Sequence, residues 1–119
     1  MSRNEYICDC DALHEELVKK ALKDMPDKNV FNNLSRFYKI LGDETRCRII
    51  FLLQKSELCV CDIAKALSMT KSSVSHQLSK MRENGVVKFR KAGKEVFYSL
   101  NDNHVECIFS TTLEHINHI

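Results

Sequence analysis

Glu57-Leu58-Cys59-Val60-Cys61-Asp62-Ile63-Ala64-Lys65-Ala66-Leu67-Ser68-Met69-Thr70-Lys71-Ser72-Ser73-Val74-Ser75-His76-Gln77-Leu78 is the stretch whose reading decides the fold. Its first part predicts a short helix from about Val60 to Leu67 that buries Ile63, Ala64 and Leu67. Ser68-Met69 then turns the chain. Thr70 is a good N-cap for a second helix through Glu83, which buries Val74, Leu78 and Met81 and ends at Asn84-Gly85. Two helices joined by so tight a turn read as a helix-turn-helix. The outer face of the second helix carries Lys71, Ser72, Ser75, His76, Ser79 and Lys80, short polar or basic arms of the kind that reach base edges in a major groove. Lys71, Ser72, Ser75, His76 and Gln77 are the candidate DNA contacts; a solvated amphipathic helix is the plain alternative.

Working outward toward the C-terminus, Val86-Val87-Lys88-Phe89-Arg90 and Glu95-Val96-Phe97-Tyr98-Ser99-Leu100 are β-rich runs joined by Lys91-Ala92-Gly93-Lys94, a hairpin signal with glycine in the turn. A basic-tipped hairpin directly after a helix-turn-helix reads as a wing, residues 86–100, with Arg90, Lys91 and Lys94 placed to touch phosphate. From Asp102 to about His118 a last helix is predicted, with Asn103 as cap and Glu106 as its box partner. Val105, Ile108, Phe109, Thr112 and Ile116 give that helix a wide apolar face, which must pack on something.

Toward the N-terminus, Asp43-Glu44-Thr45 opens a helix through Leu53 with Ile49, Ile50, Leu52 and Leu53 as core. A helix from about Val30 to Leu41 is expected to bury the face formed by Phe31, Leu34, Phe37, Tyr38 and Leu41, and Gly42 stops it as an αL cap. Another, from Ala12 to Met25, places Leu13, Leu17, Ala21 and Met25 at four-residue steps until Pro26 ends it. Residues 1–11 form a polar arm, expected to be mobile and metal-binding.

Composition bounds the reading. At 119 residues the chain is expected to be one domain, small for an enzyme with its own cleft. With 3 Gly, 1 Pro and no Trp it fits poorly with an all-β fold, and a mostly α (α+β) class follows. The net charge is only +2, yet it is unevenly spread. Between Lys71 and Lys94 the basic residues face Glu83 alone, whereas after Leu100 there is no Lys or Arg. One segment suits phosphates; the tail does not. Without a membrane-length apolar run or signal peptide the chain is expected in the cytoplasm. Its six cysteines then read as ligands, redox groups or core residues rather than disulfides.

Two constellations are of metal-ligand type. Cys59 and Cys61 stand at the doorstep of the helix-turn-helix, and Cys8 and Cys10 lie on the arm. In a regular helix positions i and i+2 point about 200° apart, so Cys59 and Cys61 share an ion only where the helix start is irregular. A helix N-terminus favours thiolate, and sulfur selects soft or borderline ions such as Cd²⁺, Pb²⁺, Zn²⁺ or As(III). His14 could join, although a helix-surface role fits it better; Cys47 and Cys107 read as core. In the second constellation His115 and His118 are i, i+3 neighbours, while His104 lies roughly 16 Å away along the same helix. One chain cannot close that site. Two antiparallel copies across a two-fold axis would set Asp102 and His104 of one against His115 and His118 of the other.

The runs Leu41-Gly42-Asp43-Glu44-Thr45-Arg46, Glu57 to Ile63, Val74-Ser75-His76-Gln77-Leu78 and Phe97-Tyr98-Ser99-Leu100 together resemble the ArsR/SmtB family of metal-responsive repressors, most closely its cadmium, lead and zinc-sensing branch. The resemblance covers essentially the whole chain. It implies a winged-helix homodimer, joined through its terminal helices, that holds double-stranded operator DNA and leaves it when Zn²⁺, Cd²⁺ or Pb²⁺ binds, controlling metal efflux or resistance. It also implies that the Cys8, Cys10 arm pairs with Cys59 and Cys61 of the other subunit, and that Asp102, His104, His115 and His118 match the family's carboxy-terminal zinc site. The Cys-x-Cys spacing on the arm departs from some relatives, which leaves the thiol set open. The rival readings are an arsenite-responsive or thiol-redox-responsive repressor and, in another class, a small thiol oxidoreductase, for which the βαβ context is missing.

Overall fold

Six helices and three strands follow one another in the computed structural model, which describes residues 14–119. They are α1 (Glu15–Asp24), α2 (Lys28–Leu41), α3 (Glu44–Lys55), β1 (Leu58–Cys59), α4 (Val60–Leu67), α5 (Lys71–Glu83), β2 (Val87–Ala92), β3 (Glu95–Leu100) and α6 (Asn103–Asn117). The chain divides into two compact units, Met1–Phe31 and Asn32–Ile119.

In the first unit α1 ends where Met25 turns extended ahead of Pro26. The side chain and carbonyl of Asp27 both accept from Val30 N, which starts α2 at Lys28, two residues before the apolar pattern begins. None of the residues of α1 is buried, and Leu17 is 66% exposed. Leu17, Ala21 and Met25, which stand at the expected four-residue steps, are all exposed in the single chain. The helical repeat marks an apolar face without saying what covers it. Leu13 and the arm with Cys8 and Cys10 lie outside the described residues.

The second unit is organised on one core. Ile49, Ile50 and Leu53 of α3, Ile63 and Ala64 of α4, Val74, Leu78 and Met81 of α5, then Val86, Val87 and Val105, are all buried. Phe37, Ile40 and Leu41 of α2 lean on this cluster, whereas Leu34 and Tyr38 stay exposed, against expectation. Asp43 caps α3 by accepting from Arg46 N at 3.0 Å. Gly42 differs from its expected role, because its φ is not positive. A Cβ there would stand 3.3 Å from the Tyr38 carbonyl oxygen, so closeness of backbone accounts for the glycine.

The wing is a three-stranded antiparallel sheet in the order β1-β3-β2 rather than an isolated hairpin. The added strand is Leu58–Cys59, pairing with Tyr98 and Phe97. Two residues carry no legible period, so this strand escapes a pattern search. Ala92 pairs with Glu95, leaving Gly93-Lys94 as a two-residue turn whose first position has φ +65°, where a type II′ turn places glycine. Among the described residues no helix is long and apolar enough to cross a membrane.

Candidate nucleic-acid interface and thiol site

The helix-turn-helix is held by its caps. Ser68 adopts the left-handed conformation at φ 54°, and Met69 N donates to Ala64 O at 2.9 Å, closing α4. Thr70 accepts from Ser73 N at 3.0 Å and opens α5. With Val74, Leu78 and Met81 buried, the opposite face of α5 is exposed, and it carries Lys71, Ser72, Ser75, His76, Ser79 and Lys80. Gln77 sits differently. It is half-buried, and its carbonyl oxygen accepts from Arg46 Nη1 at 3.2 Å. Arg46 in turn donates from Nε to Ile40 O at 2.9 Å, so the start of α3 braces the middle of α5. Only the amide nitrogen of Gln77 stays free of this brace.

Register decides what faces what on the sheet. Cys59, Phe97 and Arg90 stand opposite one another on the three strands, and so share one face; Leu58, Tyr98 and Phe89 share the other. On the first face Arg90 lies 5.1 Å from the Phe97 ring centroid and donates to Glu57 from Nε at 2.9 and 3.0 Å and from Nη2 at 2.8 Å. The carboxylate holds the guanidinium even more firmly protonated. On the second face Arg82, at the end of α5, stacks 4.6 Å from the Phe89 ring, which packs 5.7 Å from Tyr98. Neither Glu57 nor Arg82 stood among the sequence candidates. The only available signal for Arg82 was its place in the basic run, and Glu57 meets Arg90 across 33 positions. Lys91 and Lys94 are exposed at the tip.

Cys59 belongs to β1 and is also the N-cap of α4, with φ −90° and ψ 170°. The rule that i and i+2 diverge on a helix therefore does not govern Cys59 and Cys61, because Cys59 is not helical. Cys61 is exposed and Cys59 half-buried. Asp62 Oδ2 accepts from Cys59 N and from Cys59 Sγ, both at 3.1 Å, completing a capping box. The expected easing of thiolate formation by the helix start is corrected here. The Asp62 amide, aimed at the sulfur, does pull the Cys59 thiol down, but the Asp62 carboxylate that accepts its proton, together with partial burial, outweighs this and leaves it raised. Asp62 itself is lowered by the Cys59 side chain and amide. Cys47 is half-buried and donates to Leu41 O at 3.2 Å, while Cys107 is exposed on α6 rather than core. It lies two residues from buried Val105, about 200° around the helix.

Asp102, not Asn103, caps α6. Its Oδ1 accepts from Val105 N at 3.2 Å, and its Oδ2 stands 3.8 Å from His104 Nδ1. The Val105 amide chiefly holds this carboxyl below the usual aspartate range; burial opposes it, and Asn101 and His104 add lesser lowering effects. With Asp102 as cap, Val105 and not Glu106 occupies the third helical position, so the expected box does not form. His104 lies in the first turn of α6, and His115 and His118 at its other end; all three are exposed. Among the described residues no three His, Cys, Asp or Glu side chains gather closely enough to hold an ion. The donor types at both places are ones that can bind metal; among the described residues one chain brings neither set together.

The model of the bacterial regulatory proteins of the arsR family matches residues 43–88, which span α3, the thiol pair, the helix-turn-helix and the start of the wing. A transcriptional repressor SmtB homolog of Synechocystis is 36% identical over 92% of this chain and 83% of its own. A cadmium resistance transcriptional regulatory protein CadC homolog of Staphylococcus aureus is 36% identical over 92% of this chain and 90% of its own. Among solved structures, the homodimeric winged helix-turn-helix DNA-binding domain of a possible ArsR-family regulator from Mycobacterium bovis superposes with a TM-score of 0.73, covering 78% of this chain and 88% of that one at 24% identity. At that identity the likeness speaks to the fold.

Proposed function

Because the chain belongs to the ArsR family of bacterial regulatory proteins, sharing 36% identity with a repressor over 92% of its length, we propose that it is a metal-responsive transcriptional repressor. The family is one of DNA-binding regulators and not of enzymes. In this reading two copies hold a palindromic operator in the cytoplasm, each α5 in a major groove about one helical turn from its mate. Lys71, Ser72, Ser75 and His76 face the groove, Gln77 offers it only the amide nitrogen that Arg46 leaves free, and Arg90, Lys91 and Lys94 meet phosphate. Binding of Zn²⁺, Cd²⁺ or Pb²⁺ lowers operator affinity, and by linkage the operator lowers metal affinity by the same factor.

The observation that carries this is the position of Cys59, which is at once the cap of α4, a strand partner of the wing and half of a soft-ligand pair. Cys8 and Cys10 of the partner copy complete the thiol set. Asp102 and His104 with His115 and His118 across the two-fold axis form the second. The apolar face of α6, with Ile108, Leu113 and Ile116 exposed, is the surface a second copy covers.

Operator-binding anisotropy with Zn²⁺, Cd²⁺, Pb²⁺ and arsenite tests the reading, on the unaltered chain, on Cys59→Ser with Cys61→Ser, and on His104→Ala. The metal ions are expected to release DNA from the unaltered chain by at least tenfold, about 1.4 kcal/mol of coupling. The double serine variant is expected to lose the thiolate-to-Cd²⁺ absorbance, and His104→Ala to lose Zn²⁺ stoichiometry while still binding DNA. Release by arsenite alone, or by oxidation without metal, would move the chain to the arsenite or redox reading.

A further inference from the structure

Glu57 stands two residues before Cys59 at the entrance to β1. Its carboxylate grips the Nε and Nη2 edge of Arg90, while the Arg90 guanidinium lies over Phe97, the residue opposite Cys59. The short strand with the first thiol is thus joined to the wing twice, once by the β1–β3 ladder and once by this ion pair. Among the described residues Arg90 is the only cation of the wing with a carboxylate partner; Lys91 and Lys94 have none. The grip is bidentate, the geometry that fixes a guanidinium in direction as well as place. It leaves the Nη1 side of Arg90 free for a phosphate.

We infer that Glu57 is the positioning residue that couples the Cys59, Cys61 pair to the DNA contact of the wing, by tying the place of the Arg90 guanidinium to that of β1. The inference rests on the metal-responsive reading above and names a route by which one of its sites acts. A shift of β1 carries the carboxylate with it, and the guanidinium follows. A lysine at the tip, unpaired, does not.

The test uses the full chain and an operator duplex selected from a random-sequence library by the metal-free protein. The quantity read is the ratio of operator Kd with and without Cd²⁺, for the unaltered chain, Glu57→Gln, Arg90→Ala and the pair together. Glu57→Gln is expected to keep Cd²⁺ stoichiometry and thiolate absorbance but to lower the ratio by about fivefold per protomer, near the ceiling for an exposed ion pair. Arg90→Ala is expected to lower it similarly, and the double variant no further, because both changes cut one connection. Arg90→Ala is also expected to flatten the salt dependence of operator binding, which a purely structural role would leave alone. An unaltered ratio in Glu57→Gln, where the unaltered chain does release DNA, overturns the inference. Loss of the Cd²⁺ absorbance in that variant also overturns it, by making Glu57 a ligand. A chain that ignores Cd²⁺ altogether instead overturns the metal-responsive reading itself.

Discussion

The helix-turn-helix and α6 are written in the same apolar code, residues at helical spacing, and the single chain completes one of them and not the other. In α4 and α5 Ile63, Ala64, Val74, Leu78 and Met81 are buried by the rest of the second unit. In α6 only Val105 is buried, while Ile116 remains 56% exposed and lines an apolar hollow of ≈ 250 Å³ with Leu41, Cys47 and Phe109. Helical periodicity reports that a face is apolar; it is silent on whether the partner is the same chain or another copy. The reading half is finished within one chain, and the half assigned to assembly is open.

The largest expected effect separates the two regions directly. Leu78→Ala should cost about 2–5 kcal/mol in denaturant unfolding, through lost burial and the cavity left behind, at any protein concentration. Ile116→Ala should cost under about 1 kcal/mol where the chain is monomeric, and should weaken self-association measured by sedimentation. A large, concentration-independent loss at Ile116 would erase the distinction. A smaller effect sharpens the view of the thiol pair. Asp62→Asn removes the carboxylate that accepts from the Cys59 sulfur, so the thiol should ionise at lower pH and alkylate faster near neutrality. An unchanged rate would show that the carboxylate does not control it.

The smallest effect concerns the start of α6. The carboxyl of Asp102 is lowered in the folded chain, so the stability it adds is present above the ordinary aspartate range and is lost as pH falls through the folded-state value. With a chelator present, the difference in thermal midpoint between the unaltered chain and Asp102→Asn should therefore shrink on acidification below the ordinary aspartate range. A difference that grows instead would break the cap assignment.

Where residue type and near neighbours decide the outcome, the sequence was legible. The span Val60–Leu67, the Thr70 cap, the end of α5 at Asn84-Gly85 and the hairpin with Gly93 in its turn all stand as read. Each rests on interactions within a few positions. The Asp102 cap was missed by one residue because Asp and Asn are equally good caps side by side. Glu57 with Arg90 and Arg46 with Gln77 were missed because their partners lie 33 and 31 positions apart.

What the sequence determined by itself is the helix-turn-helix with its hairpin and the polar, basic face of α5, since short-range hydrogen bonding and apolar period set them. Only the tertiary structure decided that Leu58–Cys59 is a strand of the wing and that Cys59 faces Phe97 and Arg90 in one row. Those depend on register between segments distant in the chain, which the packing of a shared core selects and no local pattern encodes.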